Sequence, residues 1–481
     1  MKKILLGSTI ATIIITSAQA ADQPVKAQAV DYVKVCNLYG AGFYYIPGTD
    51  TCIKIGGFVR AQYYYNTVQG FPQSPALAFS RATDRYGTFA RGALSADVRS
   101  QTEYGTLRSY MRYGQNWQTT GNATGGAPGG YFERAYIQFA GFTFGRAASH
   151  FDFYDGGHYT FMPLGLDSSV SWTNGINIAA YTAHFGNGWS ASISAEDNGQ
   201  RAAGVYELSA NGTPLFGAAG TPYAFTGITP TDMMGTEAPD IIANMRIDQT
   251  WGSAQIMGAM HQIGGRYYGS NVGINGHADD EWGWAAGAGL TLTMPWNPLD
   301  TFSVQGAYTE GAIKYAANGM NMIAVSRSGG IAFGPYTDAV YVNGSSLEKT
   351  QAWSVVAAFE HYWTPSIRQS FVGGYLDVKY NENATSMFLA NCAIAIGGGF
   401  NAFTNCSPDW KMWRAGTRLL WNPVANLDVG VEVFYNKLET AFAGQFTTTA
   451  NPTAGLSAGR ITATDQDFWT AVFRVQRNFW P

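Results

Sequence analysis

Side chains along this chain alternate between apolar and polar over long stretches. From Ile53 to Asn66 one set reads Ile53, Ile55, Gly57, Val59, Ala61, Tyr63 and Tyr65. The interleaved set reads Lys54, Gly56, Phe58, Arg60, Gln62, Tyr64 and Asn66. Successive side chains of a β-strand point to opposite faces. The stretch therefore predicts a strand with one apolar face, ending in two tyrosines, and one polar face that carries full charges. Arg85 to Ser100 repeats the pattern, with Arg85, Phe89, Arg91, Ser95, Asp97 and Arg99 opposite Thr88, Ala90, Leu94, Ala96 and Val98. Near the end, Leu427, Val429, Val431, Val433 and Tyr435 oppose Asp428, Gly430, Glu432 and Asn436. The last stretch sets Trp469, Ala471, Phe473 and Val475 against Thr470, Arg474, Gln476 and Asn478.

A soluble sandwich also alternates, but it would have to bury one face of every strand in a few layers. Lipid can cover those faces instead, and closure into a barrel removes the sheet edges. The connections favour the closed form. Short turns such as Gln101–Gly105, Gly186–Gly188, Trp251–Ser253, Pro295–Pro298, Trp363–Ser366 and Asn422–Asn426 alternate with long segments such as Gly114–Gly130, Asp197–Pro239 and Asn381–Trp410. Membrane barrels have this asymmetry of short inner turns and long outer loops. Strands are expected at 53–66, 85–100, 106–114, 131–140, 143–152, 177–185, 189–196 and 240–250. The rest are expected at 254–261, 284–294, 301–309, 351–362, 368–380, 412–421, 427–436 and 466–479, sixteen in all. The fold class is all-β, a transmembrane 16-stranded antiparallel β-barrel.

Composition sharpens this picture. Charged residues are 13%, aromatics 15%, and 58 of 481 residues are Gly, which suits one β body better than several soluble domains. Residues 1–20 read as a signal peptide: Lys2 and Lys3, an apolar core from Ile4 to Ile15, and Ala18-Gln19-Ala20 before the cut. Its removal leaves 27 basic residues against 33 acidic ones, a balance that points to no nucleic-acid partner. No later run of 18 apolar residues offers a spanning helix. Residues 21–52 form a short periplasmic segment, and 53–481 form the barrel. Cys36 with Cys52, and Cys392 with Cys406, make two local pairs in a chain bound for an oxidising compartment. A disulfide within each pair is expected, with reduced cysteines as the alternative. The histidines, His150 and His158 among them, lack metal-ligand spacing. No metal or cofactor is expected.

Two motifs carry a resemblance. Arg134-Ala135-Tyr136-Ile137-Gln138-Phe139-Ala140-Gly141-Phe142-Thr143-Phe144-Gly145-Arg146, with Phe151-Asp152-Phe153, resembles the fourth and fifth strands of trimeric general porins. The stretch from Val33 to Cys52, which includes Asn37-Leu38-Tyr39-Gly40-Ala41-Gly42-Phe43-Tyr44-Tyr45, resembles the N-terminal signature of the alphaproteobacterial porins of rhizobial and Brucella type. That resemblance implies an outer-membrane homotrimer in a Gram-negative cell, surrounded by lipid and lipopolysaccharide, that passes small hydrophilic solutes and ions. It also implies an inward-folded third loop, about Asp152–Gly175, that sets Asp152, Asp155 and Asp167 against a basic wall of Arg60, Arg91, Arg108 and Arg134. The alternation independently points those arginines into the lumen. Opposed charges across a narrow, partly water-free passage would create a transverse field. The chain ends Asn478-Phe479-Trp480-Pro481, where the family usually ends in an aromatic residue. A solute-selective channel of the same fold is the alternative. It would need an aromatic track in the lumen, and the alternation reveals none. An enzyme barrel would need converging Ser, His or carboxylate groups, which are also not seen.

Overall fold

The structure is a computed structural model that describes residues 34–66, 77–78, 85–118, 129–154, 156–168, 175–208, 232–268, 273–318, 323–327, 330–392, 402–448 and 459–479. Its barrel strands are β1 Cys52–Tyr65, β2 Tyr86–Thr102, β3 Gly105–Gln118, β4 Gly129–Phe139, β5 Phe142–Ala147, β6 Ile176–Gly186, β7 Trp189–Glu196 and β8 Asp240–Gln249. They continue with β9 Gly252–Ile263, β10 Glu281–Met294, β11 Asn297–Glu310, β12 Gln351–Thr364, β13 Ile367–Lys379, β14 Trp410–Trp421, β15 Leu427–Glu439 and β16 Gln466–Asn478. Each pairs antiparallel with its sequence neighbours, and β1 pairs with β16 from Phe58↔Asn478 to Tyr65↔Ala471, which closes the cylinder. The two-residue strand Tyr44–Tyr45 is appended to the start of β1.

The alternation resolves into two surfaces. Leu94, Ile193 and Ile256 are 60%, 58% and 62% exposed on the outside, exposures that only a lipid surrounding makes favourable. Their neighbours Ser95, Ser194 and Gln255 are buried inside. Exposed Trp251, Trp296, Trp363 and Trp421 ring the short-turn end, and Trp117, Trp282, Trp353 and Trp469 ring the other. Aromatic rings of this kind sit at the two membrane–water interfaces.

One expected strand is shorter than expected. The fifth is expected at 143–152, but β5 ends at Ala147. Gly145 has φ +113°, and beyond it the Glu196 carboxylate accepts a hydrogen bond from the His150 amide at 2.8 Å. Those two features draw residues 148–152 off the wall and inward.

At the long-loop end the connections fold on one another. Ile323–Arg327, Gly330–Gly334, Gly444–Thr448 and Gly459–Ala463 build part of a second sheet, and Val205–Glu207 pairs parallel with Ala339–Tyr341. Phe333, Tyr336, Phe388, Trp410 and Phe442 form an apolar core beneath them, joined by Leu166 from the third loop. Residues 1–33, Trp480 and Pro481 lie outside the described residues, the expected signal peptide and the chain end among them.

Candidate functional site

The segment after β5 is held to side chains that line the inside of the wall. The amides of Phe153 and Tyr154 donate to Gln305 Oε1 on β11 at 3.2 and 2.7 Å, and Gln305 Nε2 donates to Ser168 Oγ at 2.7 Å. A single helical turn, α1 Gly156–Tyr159, follows. Next, the Phe161 amide donates to the Glu432 carboxylate on β15. The backbone carbonyls of His158, Phe161 and Leu164 accept from Arg418, Arg474 and Arg414, on β14 and β16. These four wall residues are buried. Phe161 also packs with Tyr64, Phe89, Met162, Leu420 and Val472. The fit needs small wall residues: a Cβ on Gly430 would lie 2.7 Å from Phe161, and one on Gly289 2.1 Å from Phe153. Glycine in a strand often marks such a close approach. The segment thus packs against the inside of the wall from β8 to β16, and its tip reaches Gln62, Tyr64 and Phe89 on β1 and β2.

The other side stays open. A space of about 680 Å³ is bounded by β1–β6 side chains, the segment from Ala147 to His150, and Tyr39 and Phe43 of the N-terminal stretch. Lys54, Arg99, Arg108, Arg112 and Arg134 face it, with Asp97. Asp97 takes a two-pronged bond from Arg99 (2.9 and 2.7 Å) and another from Arg108 (3.0 and 2.8 Å). Both arginine side chains are 26% exposed and the carboxylate 8%. Arg112 pairs with Glu133 at 2.9 Å, again with the cation more open, 25% against 9%. Burial holds the His150 imidazole below its ordinary pKa, against a smaller opposing pull from Asp152.

Glu133 reaches the lumen because of a bulge. Arg112 pairs with Arg134, but Tyr113 pairs with Phe132, which leaves Glu133 as an extra residue. A bulge of this kind re-aims side chains. Glu133 and Arg134 both turn inward, while Phe132 stays 53% exposed outside.

At the short-turn end the Cys36–Cys52 disulfide closes a clasp, with Cα atoms 6.1 Å apart. Phe43 is buried beside both cysteines, and Tyr39 packs on them. The Arg99 guanidinium lies 4.9 Å from the Phe43 ring centre and 5.6 Å from that of Tyr39. Lys54 Nζ donates to the Ala41 carbonyl at 3.2 Å.

A family model described as the porin subfamily matches residues 22–472. The chain belongs to the porin subfamily. This porin is 32% identical over 268 residues to porin Omp2b of Brucella suis, and 32% identical over 263 residues to porin Omp2b of Brucella abortus (strain 2308). Each alignment takes in 53% of this chain and 64% of the relative, so the chain spans just under two thirds of the relatives' length. Among solved structures, the outer membrane channel DcaP of Acinetobacter baumannii is similar with a TM-score of 0.56 at 14% identity. The match covers 90% of this chain and 99% of that one, and shows a shared fold. The porin is a multi-pass protein of the outer membrane, crossed by its strands.

The arginines singled out from the porin's sequence share one strip of wall. Arg60 lies opposite Arg91 in register, and its Nε donates to Gln476 Oε1 at 2.7 Å. Arg91 donates to Asn116 Oδ1 at 2.7 Å and lies 4.5 Å from the Tyr131 ring centre. Arg108 and Arg134 face the open space directly. The acids are spread more widely. Asp152 pairs with buried Arg201 at 3.0 Å, in the loop after β7. Asp167 is 2% exposed and acts electrostatically on Arg414. Asp155 lies outside the described residues. Cys36 and Cys52 are joined as expected; Cys406 is disulfide-bonded, and the side chain of Cys392 lies outside the described residues.

Sequence reasoning passed over Arg112 and the aromatic content of the lumen. Arg112 stands four residues from Arg108 on the same face, so the alternation already contained it. Tyr110 and Tyr136 stack at 5.3 Å between ring centres on the inner wall, where the alternation had shown no aromatic track.

Proposed function

We propose that this porin forms a water-filled channel for passive diffusion of small hydrophilic solutes and ions, as a homotrimer and with no catalytic step. The observation that carries this reading is the divided lumen. A 16-stranded barrel is too wide for wall side chains alone to fill, and the third-loop segment occupies one side while an open, polar side remains. Arg60, Arg91, Arg108 and Arg134 form the basic wall of the constriction. The loop that bears Asp152, Asp155 and Asp167 forms its opposing boundary, and together they shape the field that solutes meet.

The test is conductance of the purified protein in a planar lipid bilayer. Steps in groups of three that grow nearly in proportion to salt are expected, and an absence of steps would overturn the reading. Neutralising Arg60, Arg91, Arg108 and Arg134 together with Gln should move the reversal potential in a salt gradient toward cation preference. An unchanged potential would remove these residues from the constriction.

A further inference from the structure

We infer that the open side of the lumen is a binding site for aryl carboxylates, and that the channel prefers anions. The inference deepens the pore reading and rests on it.

Charge comes first. Five cations, Lys54, Arg99, Arg108, Arg112 and Arg134, border one space with Asp97. Counting Glu133 as well, which pairs with Arg112 from behind, five positive charges face two negative ones. The arrangement adds to the imbalance. In the Asp97 and Glu133 clusters alike, the carboxylate is the more buried partner and the guanidinium the more open one. A solute in the lumen meets the cations and is shielded from the acids.

The same contacts fix the cations in place. Arg99 and Arg108 grip Asp97 through two nitrogens each, and Arg108 Nη1 also donates to Gln138 Oε1 at 3.0 Å. Guanidinium groups held this way offer their remaining N–H groups in a set direction, which suits a planar carboxylate.

The aromatic component comes from Tyr110 and Tyr136. Their rings stack at 25° between planes. Tyr110 lies between Arg108 and Arg112 on one inner face, and Tyr136 between Arg134 and Gln138 on the next strand, with Arg112↔Arg134 and Arg108↔Gln138 in register. Cations therefore stand above and below a tyrosine rung. Arg108 already lies 5.3 and 5.5 Å from the two ring centres. A carboxylate bonded to one cation brings an attached ring against that rung. An aliphatic acid gains the ionic contact alone, and a neutral aromatic gains the stacking alone.

The experiment uses the whole protein in a planar bilayer in potassium chloride, with benzoate, acetate and benzyl alcohol as probes. The reversal potential should favour chloride. Benzoate should lower the chloride current in a saturable way, with half-block at a concentration about tenfold below that for acetate, and benzyl alcohol should leave it unchanged. Arg108→Gln and Arg134→Gln should each weaken the benzoate block by about tenfold, the worth of one charge-assisted hydrogen bond. Tyr136→Leu should weaken it for benzoate while leaving acetate as it was. Conductance steps in potassium chloride report that each variant has folded. A potassium preference, or equal block by benzoate and acetate, would overturn the site while leaving the pore intact. An absence of any steps in the wild-type protein would sink the pore reading and this one together.

Discussion

At the scale of single residues, the lumen contains ionic groups with two different tasks. Glu432 is 2% exposed, and it accepts from the Phe161 amide close to Arg414, Arg418 and Arg474. Those arginines hold backbone carbonyls of the third loop, so this cluster fastens the loop to the wall. Glu432→Ala would remove the acceptor of the Phe161 amide, a hydrogen bond to a charged group worth about 1.5–3 kcal/mol, while Arg418 keeps its ion pair with Glu360 at 2.7 Å. The loop should come free before the barrel opens. Larger and noisier single-channel steps are expected, with the strand content by circular dichroism unchanged; steps identical to wild type would show that the anchor is dispensable. The polar faces read from the sequence already contained Glu432 and Arg474, because alternation assigns a face. Their partners were not legible: Phe161 is 271 residues from Glu432, and no local pattern encodes such a contact.

At the scale of elements, strands were legible because lipid enforces a strict choice at every second position. The short turns were legible from their Gly, Asn and Pro residues. The bulge in β4 was not, since one extra residue leaves recognisable alternation on both sides of it. The register yields a specific expectation. Deleting Glu133 should keep Phe132 outside and Tyr131 inside, because both already follow the phase that Arg134 would set in a regular strand. Only the carboxylate behind Arg112 is lost. The barrel should form normally, and the reversal potential should move further toward anions; failure to insert would show that the bulge is needed to bend the wall. The clasp is separable in another way. Its disulfide joins residues 16 apart, and closing a loop of that size is worth about 3 kcal/mol in the chain-entropy description. A Cys36→Ser, Cys52→Ser variant should therefore be cut by trypsin at Lys34 far faster than wild type, while β1–β16 resist. Equal rates would mean that packing of Tyr39 and Phe43 alone holds the clasp.

At the scale of the whole molecule, the two sides of the lumen divide the work of the channel. The side from β8 to β16 binds most of the third loop and meets the folded outer connections, whose core includes Leu166. The side formed by β1–β6 turns Lys54, Arg99, Arg108, Arg112 and Arg134 to the open space. Conductance and selectivity should therefore respond to different substitutions. Gly430→Leu places a side chain where Phe161 already lies, since even a Cβ there would come within 2.7 Å. It should displace the loop and change step size, with little change in the ratio of anion to cation permeability. Arg112→Gln removes a cation whose ion-pair partner is Glu133 on the neighbouring strand of the wall. It should lower anion preference at nearly constant step size, because the channel walls stay where they were and only the charge facing them changes. Measured in one bilayer under one salt gradient, the two variants separate the geometry of the passage from its charge. If Gly430→Leu instead moved the reversal potential as far as Arg112→Gln does, the charge that solutes meet would include the loop and its anchors, and the division of the lumen into an anchoring side and a conducting side would fail.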